Sequence, residues 1–232
     1  MTSLSQNARI AGVLYILFSL FGFVRLIYIP SHLIVYGNPA ATANNIVAHE
    51  MLFRFGIVSY LIGAAGWILV TLVLYRLFKG VDQSLAVVMV ILGSLVSVPI
   101  FFFNAVNDAA ALLFARGADF LSAFDKPQRE ALVMLFLRLH QDADLANEIF
   151  WGLWLIPLGL LVYKSHFLPR WLGVWLMLGC LGYLGMSFTG FLYPQYDDRA
   201  FTLIQPLTIS ELVFMFWLVI MGAKQKLTTA KA

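Results

Sequence analysis

Ionisable and amide side chains recur in this 232-residue chain at spacings that could do chemistry. His49, Glu50 and Arg54 fall together in the stretch TANNIVAHEMLFR. Asn104, Asn107 and Asp108 stand at i, i+3 and i+4, so a helix would carry them on one face. His140, Asp144 and Glu148 make a stripe at i, i+4 and i+8, with Asn147 beside it, while Arg25 and Glu211 stand singly in apolar surroundings. His49, Asp108, His140 and Glu148, with Glu50 nearby, offer the nitrogen and oxygen donors of a site for zinc or another divalent ion. Glu50 or Glu148 could then serve as general base on a metal-bound water, the chemistry of a hydrolase. As binding groups, Arg25 and Arg54 would meet an anion, and Asp108, Glu148 and Glu211 would meet a cation or carry protons. Equally, the arginines could simply neutralise the acids in a structural network. The histidines lack the H-E-x-x-H pattern, because position 53 is Phe, and no G-x-S-x-G, Walker A or G-x-G-x-x-G stretch is present.

The elements that must position these groups are membrane helices. The chain is 61% hydrophobic and 12% charged, whereas soluble domains run near 45–50% apolar and about 25% charged. A span needs about 20 mostly apolar residues. Six segments meet that length: residues 8–29, 53–78, 85–114, 145–163, 171–192 and 201–223. The first is too long for the apolar core of a signal peptide and lacks a cleavage signature, so it reads as a helix. The expected fold is therefore all-α, a polytopic helical bundle with residues 1–232 as a single membrane domain. Cys180, the one cysteine, lies inside a span and has no partner for an intrachain disulfide. No basic cluster is interleaved with exposed aromatics, which argues against nucleic acid. Lipids are the expected partners, with a small-molecule ligand as a further one.

Basic residues set the orientation. One flank carries Arg9, Arg76, Lys79, Lys164, Arg170, Lys224, Lys226 and Lys231, with Asp82 as its acid. The other mixes Glu50, Asp119, Asp125, Glu130, Asp142, Asp144, Asp197 and Asp198 with five arginines and lysines. The first flank, and with it both termini, is expected in the cytoplasm. Counting residues from the span ends then puts Arg25, Glu50, Arg54, Asn104, Asp108, Glu148 and Glu211 in the outer zone, where ionisable groups are costly unless they pair or line a wet cavity. Residues 40–51 and the stretch after Asp125, an N-cap with Pro127 following, read as helices able to lie along the outer interface. In the second, Leu132, Leu135, Phe136 and Leu139 form the apolar stripe. Ser59-x-x-x-Gly63, and Gly182 to Gly185, mark close helix packing. Trp151 and Trp154 are expected in an interfacial aromatic belt, and His32 and His166 in turns.

Several stretches carry a resemblance: ARIAGVLYIL at Ala8–Leu17, ATANNIVAHEMLFR at Ala41–Arg54, LYRLFKGVD at Leu74–Asp82 and IFWGLWLIPLGLLVYKSHFLPRWLG at Ile149–Gly173. Together they resemble the bacterial membrane family called domain of unknown function 4386. The resemblance implies a multi-helix protein of the bacterial inner membrane and assigns no activity. Three functions stay open: binding or transport of a small polar or amphipathic ligand, metal-dependent hydrolysis at the outer interface, and a structural or regulatory role.

Overall fold

The computed structural model describes residues 4–224, and the six spans stand in it as long apolar helices. They are α1 (Leu4–Leu33), α3 (Glu50–Phe78), α4 (Gln83–Arg116), α5 (Lys126–Ser165), α6 (Arg170–Leu192) and α7 (Asp197–Ile220), with the short α2 (Pro39–Ala48) between the first two. There is no strand among the described residues. Many large apolar side chains on the spans stay exposed, such as Leu20, Phe55, Phe103, Leu181 and Leu203. Length, composition and this outward face make the chain a multi-pass membrane protein in contact with lipid. Lys226 and Lys231, counted above on the basic flank, lie outside the described residues, as does the side chain of Asp198.

Prolines explain where the spans depart from a regular helix. Each removes the N–H that would satisfy the carbonyl four residues earlier. In α1 a wide π-type turn at Val24–Tyr28 precedes Pro30, and in α4 a second one at Ile91–Leu95 precedes Pro99. In α5 the helix is interrupted at Trp154, three residues before Pro157.

Helix α5 corrects one expectation. The segment after Asp125 does not lie apart as an interfacial cap; it runs on into the fourth span as one 40-residue stretch. Its start is the expected cap: Asp125 Oδ1 accepts from the Gln128 N–H at 2.9 Å, and Gln128 Oε1 accepts from the Asp125 N–H at 3.0 Å. The buried stripe is Val133, Leu137 and His140, while Leu135 and Leu139 of the predicted apolar stripe are exposed. Of residues 40–51, those up to Ala48 are helical as expected, in α2; His49 breaks the helix, and Glu50 and Met51 open α3. His166 ends α5 in a left-handed turn, but His32 sits in the last helical turn of α1, its ring tilted against Tyr28 at 4.1 Å.

By packing, the chain falls into two compact units. Unit 1 holds residues 4–17, 67–97 and 145–224 of those described; unit 2 holds 18–66 and 98–144. In unit 1, Tyr15 packs edge-on against Trp67 at 4.9 Å, and Trp67 against Trp154 at 5.7 Å. Trp154 is only 2% exposed, so it belongs to a core rather than the expected belt. Gly93 makes its room: a Cβ there would lie 2.8 Å from the indole. Helices α5 and α6 approach backbone to backbone at Gly159 and Gly173, where a Cβ on either would stand 2.5 Å from the other's carbonyl oxygen. In unit 2, Ile29, Leu33, Ile46, Phe53, Leu112 and Leu137 form the core. There the Ser59 hydroxyl donates to the Phe21 carbonyl at 2.8 Å and Gly63 backs onto Gly22, so the Ser-x-x-x-Gly pattern serves packing within the chain.

Asp82, between α3 and α4, offers a pH test within unit 1. The Leu85 N–H donates to Oδ1 at 3.1 Å, and the Lys164 ammonium to Oδ2 at 3.0 Å. The amide first, and then Lys164, hold its carboxyl below the ordinary carboxylate range. A carboxyl depressed on folding stabilises above its unfolded pKa, and that contribution is lost as pH falls through the folded value. The stability advantage of wild type over Asp82→Ala should therefore shrink on acidification in a detergent unfolding titration. An advantage independent of pH would count against the bond network as its source.

Candidate functional site

Unit 2 gathers polar side chains from four helices. The wide turn of α1 carries Arg25, 3% exposed; α4 carries Asn104, Asn107 and Asp108; α5 carries His140 and Asp144; α3 carries Tyr60. Gly56 of α3 leaves room for Ile29, one turn beyond Arg25, since a Cβ there would meet the Ile29 side chain at 2.8 Å. Arg25 grips Asp108 through two parallel bonds, Nε to Oδ2 at 2.6 Å and Nη2 to Oδ1 at 2.5 Å. Such a fork is the strong form of a charge pair, and burial demands it.

His140, 3% exposed, stands between two carboxylates. Its Nδ1 lies 3.1 Å from Asp108 Oδ1 and 3.3 Å from the Asn104 carbonyl. Both are acceptors, so Nδ1 carries the hydrogen. Nε2 lies 3.1 Å from Asp144 Oδ2, yet out of line for a hydrogen bond. Asp144 Oδ1 accepts from the Tyr60 hydroxyl at 2.5 Å and from Asn104 Nδ2 at 2.8 Å. Asn107 in turn donates to Asn104 at 3.3 Å.

This network floors a cavity of about 500 Å³ between α1 and α5, within the usual range for small-molecule sites. Arg25, His140 and Asp144 line it at the polar end; Leu26, Pro30, Ile34, Met134, Leu135 and Leu137 supply apolar wall. Arg138 and Gln141 also line it.

The other residues singled out in the sequence fall elsewhere. Glu50 and Arg54 pair at 2.7 Å, with Arg116 3.5 Å from the same carboxylate. They are 30%, 44% and 50% exposed, an arrangement worth little to stability. His49 ends α2 and is exposed, and none of the three lines the cavity. Of the metal candidates, Asp108 and His140 come together in unit 2, while Glu148 belongs to unit 1. Among the described residues no three His, Cys, Asp or Glu side chains are grouped to hold a metal ion.

Glu211 sits in unit 1, 7% exposed, with one carboxylate oxygen accepting from the Tyr15 hydroxyl and the other from Tyr183 at 2.6 Å. Sequence reasoning missed all three tyrosines, 15, 60 and 183. One general signal was present: a buried phenol needs a partner for its hydroxyl, and apolar spans offer few.

The family model for Domain of unknown function (DUF4386) matches residues 10–222. The chain belongs to this family. A relative described as an uncharacterized protein, from Archaeoglobus fulgidus, is 37% identical over 76 residues. That alignment covers 33% of this chain and 44% of the relative, so the chain spans less than half the length of the curated relative it matches. No solved structure matches it. The DUF4386 match agrees with the resemblance carried by the quoted stretches, and what the family members do must be read from the site itself.

Proposed function

We propose that this protein binds a small polar or amphipathic ligand in the unit 2 cavity, at the outer face of the bacterial inner membrane. One observation carries the reading: an apolar-walled cavity ends on a buried network of Arg25, Asp108, His140 and Asp144. Buried ionisable groups at membrane depth are retained at a cost, and a cavity beside them is where a ligand would use them. The location and orientation rest on the basic flank of Arg9, Arg76, Lys79, Lys164, Arg170 and Lys224, which the positive-inside rule assigns to the cytoplasm along with both termini.

Native mass spectrometry of gently purified protein tests this. A small molecule of fixed mass should travel with wild type and be lost from Ala131→Trp, which fills the cavity from an exposed wall position. Equal retention in both, or no bound species together with no thermal stabilisation by any amphipathic compound, would remove the proposal.

A further inference from the structure

One end of unit 1 gathers basic residues that take no part in the unit 2 cavity. The Lys224 N–H donates to the Phe167 carbonyl at 3.0 Å, which ties the chain after α7 to the turn between α5 and α6. Across that turn, the Arg170 guanidinium donates to His166 Nδ1 at 3.3 Å and lies over the Tyr163 ring at 5.3 Å. Gly222, two residues before Lys224, packs on the start of α1. Ser5 is nearest there, and Arg9 Nε lies 3.4 Å from the place a Cβ would take. Arg9, Arg170 and Lys224 thus share one end of the unit. All three are exposed, and none has a carboxylate partner among the described residues. Asp82, the acid of this flank, is already held by Lys164 at 3.0 Å. Cations gathered without a counter-charge repel one another, and a bound anion would lift that cost.

The neighbouring apolar residues set the kind of anion. Trp171, beside Arg170, is exposed and meets Trp217 edge-on at 5.6 Å. A tryptophan at a span end sits at the level of the lipid headgroups. From it, Val174, Leu178 and Leu181 continue along α6 at i+3, i+7 and i+10, an exposed apolar stripe. Cations at the mouth of such a stripe match a phosphate and an acyl chain of one molecule, whereas a soluble anion would leave the stripe unused. We propose that this end of unit 1 holds an anionic phospholipid, its phosphate among Arg9, Arg170 and Lys224 and one chain along Trp171, Val174 and Leu178.

Native mass spectrometry of the full chain in neutral detergent tests this, with phosphatidylglycerol and phosphatidylcholine of identical chains added in equal amounts. Wild type should retain the anionic lipid at least about tenfold in preference, because each basic group at a headgroup adds a several-fold factor. The preference should vanish in Arg9→Gln/Arg170→Gln/Lys224→Gln. It should persist in Arg76→Gln/Lys79→Gln, which removes two exposed charges of the same flank. If the triple variant does not fold, Lys224→Gln alone decides: it should lower the preference about threefold or more. No preference in wild type, an unchanged one in Lys224→Gln, or an equal loss in the triple variant and the Arg76/Lys79 control would overturn the site. Displacement of the lipid by an equal concentration of inorganic phosphate would make it a site for a free anion and overturn the lipid.

Discussion

Replacing Arg25 with methionine is expected to cost about 3–5 kcal/mol of stability, the range for removing one partner of a buried ion pair. Asp108 is 0% exposed and would keep its charge with only His140 to meet it. The size of the loss comes from the stranded carboxylate rather than from the strength of the pair itself. Arg25→Met combined with Asp108→Leu should therefore recover most of it, because an apolar pair in the same volume leaves no charge to solvate. Arg25→Lys should fall between, since an ammonium cannot reproduce the two parallel bonds to Oδ1 and Oδ2. Unfolding of wild type and these three variants in mixed micelles gives the comparison. A loss below about 1 kcal/mol in Arg25→Met would place this pair with weak surface bridges, contrary to its burial.

The same pair shows what could be read in the sequence and what could not. Asn104, Asn107 and Asp108 do share a face, and depth along the spans placed Arg25 and Asp108 at a common level. Depth is one coordinate; which partner Arg25 takes depends on rotation about the helix axis. The wide turn at Val24–Tyr28 changes that rotation, and its only forecast is Pro30, six residues after Val24. Glu50, another acid assigned to that level, instead pairs with Arg54 and Arg116 on an exposed face.

The six spans were legible because length and apolarity are what a bilayer demands. The inward faces were harder, because lipid is as apolar as a core. In a soluble protein, the stripe of Leu132, Leu135, Phe136 and Leu139 would be expected to turn inward. Here Leu135 and Leu139 are exposed and His140 is buried beside Val133 and Leu137. Trp154 was read as a belt residue for a related reason: an aromatic near a span end fits either surroundings, and Gly93 opposite it is what admits the ring to unit 1. Polar and small residues were better guides to the interior, as the Ser59–Phe21 bond and the Gly63–Gly22 contact show.

Glu211 gives the second large effect, in unit 1. Glu211→Leu should cost about 2–6 kcal/mol, because it removes the acceptor for two phenol hydroxyls and an unmade buried hydrogen bond costs about 1–3 kcal/mol each. Tyr15 is fully buried against Trp67 and Phe214, so its hydroxyl has little freedom to turn elsewhere. Glu211→Gln should cost far less: its carbonyl oxygen can still accept from Tyr15, and its amide can donate to the oxygen of Tyr183. The controls are Tyr15→Phe and Tyr183→Phe in the Glu211→Leu background, which keep the ring packing and remove the stranded hydroxyls. Together they should restore most of the stability, an outcome that a simple loss of side-chain volume would not produce. If Glu211→Leu unfolds like wild type, the carboxylate is not what satisfies the two phenols. If it is destabilised and the phenylalanines do not rescue it, the cost arises from packing around Glu211.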